Sequence, residues 1–128
     1  LTIGGNLEKM VHAWDRMLPQ WVLKLDVDGK RRPSVRVLAR RLARAGVQLR
    51  AVVERPSPSG RGWHRWVAVK ERLTPVEVVA LQAILGSDPY REASNLFRAR
   101  RIRRLPRVLR KWWNVLYRRQ PSGRGTGP

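Results

Sequence analysis

Three stretches of the chain alternate between apolar and polar residues with the period of two that is typical of β-strands. They cover residues 21–28, 47–54 and 63–70. The alternation predicts that each of these sets shares one face of its strand: Trp21, Leu23, Leu25 and Val27; Leu49, Ala51 and Val53; Trp63, Val67 and Val69. Residues 55–62, rich in Pro, Ser and Gly, join the last two strands, which should pair as an antiparallel hairpin with a long basic loop.

Apolar residues recur at helical spacing between and around the strands. Pro33 and Gly46 bracket one predicted helix, and residues 74–77 (Thr-Pro-Val-Glu) form a capping box that begins another, which ends near Gly86. Further helices are predicted over residues 10–18, over 88–97 and from Pro106 onwards. The predicted apolar stripes are Val11, Trp14 and Leu18; Val35, Leu38, Leu42 and Ala45; Val76, Val79, Ala80, Ala83 and Ile84; Leu105, Leu109, Trp112, Trp113 and Leu116.

The order strand, helix, strand, strand, helix predicts an α+β fold with an RRM-like or ferredoxin-like βαββα core and additional basic C-terminal helices. One sheet face should pack against the helices. The other should be open, with these side chains on it: Asp26, Asp28, Glu54, His64 and Trp66. We expect residues 20–119 to form a single domain, after an N-terminal extension over residues 1–19 and before a disordered tail over 120–128.

The charge of the chain narrows the choice of partner. Lys and Arg number 28 against 9 Asp and Glu, a formal net charge of +19, which indicates a polyanion and in the first place nucleic acid. The absence of cysteine excludes disulfides and thiolate metal sites, and two histidines argue against a histidine-rich zinc site. No apolar run reaches the roughly 18 residues that span a bilayer, so we expect no membrane partner and a cytoplasmic protein, or a virus-encoded one in the host cytoplasm.

Two carboxylates form the first candidate site. Asp26 and Asp28 lie two residues apart at the end of a strand, so both side chains point to the same face. Carboxylate oxygens suit hard divalent cations, and the pair predicts a site for Mg²⁺ or Mn²⁺. In so basic a chain, arginine partners are the simpler alternative for both residues.

The hairpin loop forms a second candidate site, for the phosphates of a nucleotide. Its candidate nucleotide-binding residues are Ser57, Ser59, Gly60, Arg61, Gly62 and His64. Glycines let the backbone approach a triphosphate and leave N–H groups free to bind it, while Arg61 and His64 add positive charge. An ordinary hairpin loop is the alternative.

Residues 23–28 (Leu-Lys-Leu-Asp-Val-Asp) and 59–64 (Ser-Gly-Arg-Gly-Trp-His) resemble two motifs of the archaeo-eukaryotic primase and primase-polymerase superfamily, and the likeness extends over residues 20–90. The resemblance implies metal-dependent nucleotidyl transfer in DNA replication, viral or plasmid-borne, with nucleoside triphosphates as substrates. It implies that Asp26, Asp28 and a third acid, Asp88, are catalytic metal ligands, and that His64 contacts the triphosphate. Asp88 is also a natural N-cap for the helix that follows it.

The C-terminal part carries a dense positive field. Its basic residues are Arg91, Arg98, Arg100, Arg101, Arg103, Arg104, Arg107, Arg110, Lys111, Arg118 and Arg119. They should bind phosphates without regard to sequence, and the interleaved Trp112, Trp113 and Tyr117 offer rings for stacking on unpaired bases unless the tryptophans close the core. Trp66, on the predicted open face, is the preferred stacking residue. The alternatives to an enzyme are a non-catalytic module that binds single-stranded nucleic acid on an RRM-like sheet, and a structural basic protein of a ribonucleoprotein.

Overall fold

Helices and strands follow one another along the chain in an α+β arrangement. The computed structural model describes residues 7–15, 20–29, 32–114 and 116. In chain order the elements are α1 (Leu7–Asp15), β1 (Val22–Asp28), α2 (Val35–Arg44), β2 (Leu49–Pro56), β3 (Gly62–Val69), α3 (Pro75–Ile84), α4 (Pro89–Arg100), a short 3₁₀ turn (Ile102–Arg104) and α5 (Arg107–Trp112). The strands form a small antiparallel sheet in the order β1-β3-β2. The predicted tail over 120–128 lies outside the described residues, as do Leu18, Tyr117, Arg118 and Arg119.

Local signals in the sequence begin and end the two central helices. The Ser34 hydroxyl accepts a hydrogen bond from the Val37 N–H at the start of α2. At the start of α3, Thr74 and Glu77 form the predicted capping box, with Pro75 in the first turn. Gly46 follows α2 with a φ of 81°, a conformation that few side chains tolerate, so the predicted stop is confirmed.

The main core lies between the sheet and helices α2 and α3. As expected, it buries Leu38 and Leu42 of α2 against the sheet residues Leu23, Leu25, Val27, Val67 and Val69. Trp21, predicted on the same face of β1, is instead 38% exposed. The predicted stripe of α3 is wrong, because Val76 and Ile84 are 45% and 47% exposed. The buried residues of this helix are Val78, Val79, Leu81 and Gln82. Since α3 is apolar on nearly all sides, the spacing of its residues did not define its inner face.

A β-bulge changes which residues of β2 face the core. The register with β3 shifts between Leu49 and Ala51, so Val52 packs into the main core while Val53 faces the opposite side. The prediction that Leu49, Ala51 and Val53 share a face is therefore wrong. The prediction that Glu54 shares the face of His64 is wrong for the same reason.

Glu54 lies opposite Arg65 of β3, and its Oε1 is 2.8 Å from the Arg65 Nε. Arg65 is 1% exposed and also donates a hydrogen bond to the Pro33 carbonyl at 2.6 Å. Burial lowers the pKa of this guanidinium, and the adjacent carboxylate opposes the shift. The Glu54 carboxylate therefore balances the charge of the Arg65 guanidinium, which lies on the core side of the sheet.

The second face of the sheet is covered, and the expectation of an open face is wrong. Helix α1 contacts β2 and β3, and a second cluster of buried residues consists of Val11, Val22, Val53, Trp66 and Leu116. Trp66 is 0% exposed, and its Nε1 donates a hydrogen bond to the Asp15 carboxylate at 3.2 Å. Asp15 also forms an ion pair of 3.5 Å with Lys24, which is 1% exposed. Trp66 therefore packs in the interior and offers no surface for stacking on a base.

Within the described residues, no helix combines the length and the apolar character that crossing a membrane requires.

Candidate functional site

The ladder between β1 and β3 brings the two sequence motifs together. Asp26 lies opposite His64, and Asp28 lies opposite Gly62. The Asp26 Oδ1 is 3.6 Å from the His64 Nε2. The Asp26 side chain is 32% exposed and that of His64 is 5% exposed, so the carboxylate reaches solvent while the imidazole lies beneath the surface.

Arg55 completes a row of three ionisable side chains across the sheet. It is the register partner of His64 on β2, and its guanidinium carbon is 5.8 Å from the centre of the Trp66 ring. The row therefore runs from a carboxylate on β1 through an imidazole on β3 to a guanidinium on β2. The alternating pattern of β2 did not indicate Arg55 as a site residue, because an unbroken strand would place Glu54 on this face instead.

The environment of Asp26 favours its protonated form. Burial is the main reason why its pKa is raised above the ordinary carboxyl value, and the nearby acids Asp28, Asp88 and Glu92 raise it further. Arg91 acts in the opposite direction but does not cancel the shift. A divalent cation beside Asp26 would reverse this balance, because it stabilises the ionised carboxylate.

In the described part of the chain, no strand pairs with the outer edge of β1. Its outward N–H and C=O groups bond instead to three side chains and to one main-chain N–H. The Lys24 N–H donates to the Gln82 Oε1 and the Asp26 N–H donates to the Ser87 Oγ, at 2.9 and 3.0 Å. The Lys24 carbonyl accepts from Arg91 at 2.9 Å, and the Asp26 carbonyl accepts from the Asp88 N–H at 2.7 Å. The backbone of Asp26 is therefore fixed on its outer side by the segment that begins α4.

The Glu92 carboxylate joins the side chains that bond to the outer edge of β1. It is 3% exposed, and one carboxylate oxygen accepts hydrogen bonds from Gln82 and Asn95 at 2.7 and 3.1 Å. The other oxygen accepts from Ser87 at 2.7 Å and from the adjacent Arg91. Burial lowers the pKa of Arg91, and Glu92 opposes that shift. The buried carboxylate is thus satisfied on both oxygens, as a buried charge requires.

Asn114, beyond α5, extends the same network. Its amide nitrogen donates to Gln82 at 2.7 Å, and its amide oxygen accepts from Gln82 and Asn95 at 3.0 and 3.2 Å. Arg91 also donates to the Asn114 carbonyl at 2.7 Å. The polar network therefore joins β1, α3, α4 and the end of α5 into one unit.

Asp88 has the role of a helix cap. Its carboxylate accepts a hydrogen bond from the Tyr90 N–H at 3.1 Å, which confirms the N-cap alternative. The Asp88 N–H itself donates to the Asp26 carbonyl. Among the described residues, no group of three or more His, Cys, Asp or Glu side chains is arranged to hold a metal ion. Asp26 and Asp28 offer the oxygen donors that Mg²⁺ prefers, and one or two carboxylates suffice when phosphate oxygens of a nucleotide supply the rest.

The hairpin loop does not present the free N–H groups expected of a phosphate cradle. The N–H groups of Gly60, Arg61 and Gly62 already donate within the loop, to the Ser57 carbonyl, the Ser59 hydroxyl and the Ser57 hydroxyl respectively. Gly62 has a steric role, since a Cβ here would collide with the Val27 carbonyl oxygen on β1. What the loop offers a ligand is the exposed side chain of Arg61 and the exposed hydroxyl of Ser59.

Exposed positive charge is concentrated at the far end of α4. Arg100, Arg101, Arg103 and Arg104 are exposed and, together with Ile102, line a cleft of about 490 Å³. We call these four residues the arginine surface. Among the described residues, none of the four forms an ion pair with a carboxylate.

Other predicted basic residues are engaged with the protein or lie beside this surface. Arg98 is half-buried and donates to the Asn95 side chain and to the Trp113 carbonyl. Arg110 is exposed and donates to the Leu105 carbonyl. The neighbouring exposed basic residues are Arg107 and Lys111. Trp113 is 4% exposed in the main core, as one of the two adjacent tryptophans was expected to be.

The two charged features lie at opposite ends of α4. Asp88, bonded to Asp26, caps the first turn, and Arg100 is the last residue of the helix. A helix of 12 residues is about 18 Å long.

No protein-family model, no curated protein and no solved structure matches this chain.

Proposed function

We propose that this protein binds nucleic acid through the arginine surface, by contacts to the phosphate backbone that do not depend on base sequence. The observation that carries the proposal is the cleft of four exposed arginines without acidic partners among the described residues. Arginine donates paired hydrogen bonds to phosphate oxygens, because its planar fork of donors matches the spacing of two oxygens on one phosphate. The net charge of +19 supports the same conclusion, because a long polyanion releases many counterions on binding.

The test compares two double variants that remove the same charge from different places. In R103A/R104A the arginine surface loses two side chains, whereas in R36A/R40A two exposed arginines of α2 are lost. Affinity for a labelled oligonucleotide is measured by fluorescence anisotropy over a range of salt concentrations. R103A/R104A should lower both the affinity and the slope of log K against log salt, by about one unit of slope for each phosphate contact removed. Equal effects of both variants would show that only net charge matters and would contradict the proposal.

A second candidate function, metal-dependent nucleotidyl transfer of the primase-polymerase type, is favoured by the register that places Asp26 opposite His64. The topology is compatible with it. Because β1 and β2 each pair antiparallel with β3, they run parallel to one another on either side of it, as the split βαβ unit of an RRM-like or ferredoxin-like fold would require. A fourth strand would have to lie where the polar network now closes the edge of β1.

On this candidate the residues around Asp26 would bind a nucleoside triphosphate. Asp26 and Asp28 would hold Mg²⁺ or Mn²⁺ jointly with phosphate oxygens, and the metal would supply charge neutralisation and activation of a 3′-hydroxyl. Arg55 and Arg61 would face the phosphates with positive charge, and His64 would contact them from beside the Asp26 carboxylate. Asp88 would act through its contact with the Asp26 backbone, because its carboxylate caps α4.

Binding of a labelled nucleoside triphosphate in the presence of Mn²⁺, followed by primer extension, tests this candidate. The double variant D26A/D28A should abolish both triphosphate binding and primer extension. The control E71Q replaces a carboxylate at the opposite end of the sheet and should leave both activities unchanged. A protein that binds oligonucleotides but shows no Mn²⁺-dependent binding of the triphosphate would contradict nucleotidyl transfer and leave the first proposal standing.

A further inference from the structure

Phe97 is an aromatic ring exposed within the positively charged end of α4. Its side chain is 63% exposed. The guanidinium carbon of Arg101 lies 5.1 Å from the centre of the ring, and Arg101 also donates to the Phe97 carbonyl at 3.4 Å. Arg101 also lines the cleft of the arginine surface, so this contact joins the ring to that surface.

This placement is unfavourable for the isolated protein and suited to a ligand. An exposed phenyl ring keeps a large apolar area in water, and a single cation over one part of it covers little of that area. An unpaired base brings a flat π-surface that stacks on the ring, while its phosphates lie within reach of arginines. Duplex DNA offers no such surface along its length, because its bases are stacked on one another inside the helix.

We propose that the arginine surface binds single-stranded nucleic acid, with one base stacked on Phe97 and the flanking phosphates held by Arg100 and Arg101. This inference rests on the proposed nucleic-acid binding and adds the class of ligand and a residue that contacts the base. The sequence pattern predicted stacking on Trp66 and on Trp112, Trp113 and Tyr117, and did not indicate Phe97. Among the described residues, no carboxylate forms an ion pair with the four arginines, and this charge selects a polyanion as the occupant of the surface rather than an apolar protein segment.

A second pair of the same kind lies on α5. The Lys111 Nζ is 5.3 Å from the centre of the Trp112 ring, and Trp112 is half-buried. Trp112 therefore offers an edge or part of a face to a neighbouring base. A ring with a cation beside it is the combination by which proteins bind single strands with little sequence preference.

The test uses the full chain and two ligands, an oligo(dT) of about 20 nucleotides and a duplex of the same length. Phe97→Ala should weaken binding of oligo(dT) about 5- to 140-fold, the range expected for one stacked base, and leave duplex binding within about twofold. Phe97→Trp should restore or strengthen binding of the single strand. Tyr90→Ala is the matched control, because Tyr90 is an 84% exposed aromatic residue at the other end of the same helix.

A direct readout accompanies the affinities. Oligo(dT) carrying 5-iodouracil should form a photochemical crosslink to Phe97, identified by mass spectrometry of the digested complex. Unchanged oligo(dT) affinity in Phe97→Ala, or an equal loss for single strand and duplex, would overturn the inference while leaving nucleic-acid binding intact. Absence of binding to either ligand by the parent protein would instead contradict the proposed function itself.

Discussion

Gln82 of α3 accepts a hydrogen bond from the main-chain N–H of Lys24 in β1, at 2.9 Å, and is itself 0% exposed. A helix side chain here occupies the position that a neighbouring strand would fill in a larger sheet. Exposed edges of sheets invite pairing with other chains, and closing one with a polar network removes that hazard. The same network fixes the backbone on both sides of the Asp26 carboxylate, so the stability of the fold and the geometry of the candidate site depend on the same residues.

Replacing Glu92 by alanine should destabilise the protein by about 3–5 kcal/mol, because the Arg91 guanidinium and several buried donors lose their acceptor. The free energy of unfolding from urea titrations measures the effect. Glu77→Ala is the control, since Glu77 is exposed and contributes only the capping box of α3, with an expected cost of about 1 kcal/mol. Equal losses in the two variants would show that the network contributes no more than a surface cap.

Gly62→Ala should disrupt the pairing of β1 with β3, because the added Cβ meets the Val27 carbonyl oxygen, a main-chain atom that cannot turn aside. We expect a loss of about 3 kcal/mol in the free energy of unfolding. Gly60→Ala should cost about 1 kcal/mol, since its φ of 75° is strained for alanine but the space around it is open. A larger loss for Gly60→Ala would mean that the loop conformation, rather than the close contact of the strands, demands glycine in this motif.

Asp26→Asn should stabilise the protein at neutral pH. Burial raises the pKa of Asp26, so the folded protein holds this proton at a higher pH than the unfolded chain does. Stability therefore falls as the pH rises from the ordinary carboxyl pKa of about 4 through the raised value of the folded state. The asparagine variant carries no carboxyl proton at this position and does not lose stability in this way. Its higher stability should therefore disappear at pH values below the ordinary carboxyl pKa.

Urea titrations of the parent and Asp26→Asn across the acidic to neutral range measure this difference. Asp28→Asn serves as the comparison, because it removes an exposed carboxylate from the same strand. If Asp26→Asn is instead less stable than the parent at neutral pH, the attraction of Arg91 and the contact with His64 outweigh the cost of burying the carboxylate.

Asp15→Ala should release α1 from the sheet. The change leaves the Lys24 ammonium buried without its carboxylate partner and removes the acceptor of the Trp66 Nε1, at an expected cost of about 3–5 kcal/mol. The double variant D15A/K24M should lose less than the sum of the two single changes, because both break the same ion pair. Fluorescence of the buried Trp66 should report the loss together with the unfolding free energy, and additive costs would show that the two residues are not coupled.

The limits of prediction from sequence appear in single elements of this fold. Residues 74–77 determine where α3 begins, because a capping box acts between neighbouring residues. They do not determine which face of α3 is buried, since that depends on Gln82 meeting the edge of β1 and Asn114. Similarly, the alternation in residues 63–70 was confirmed in β3, whereas one bulged residue in β2 reversed the faces of all that follow.

By itself the sequence determined the strands, the capped helices, the hairpin and the large excess of positive charge, because each follows from interactions between residues close in the chain or from composition. The tertiary structure alone decided that α1 covers the second face of the sheet, that Trp66 is interior and Phe97 exterior, and that Asp26 meets His64. These outcomes depend on contacts between distant segments, and no local pattern encodes the partner that each side chain meets.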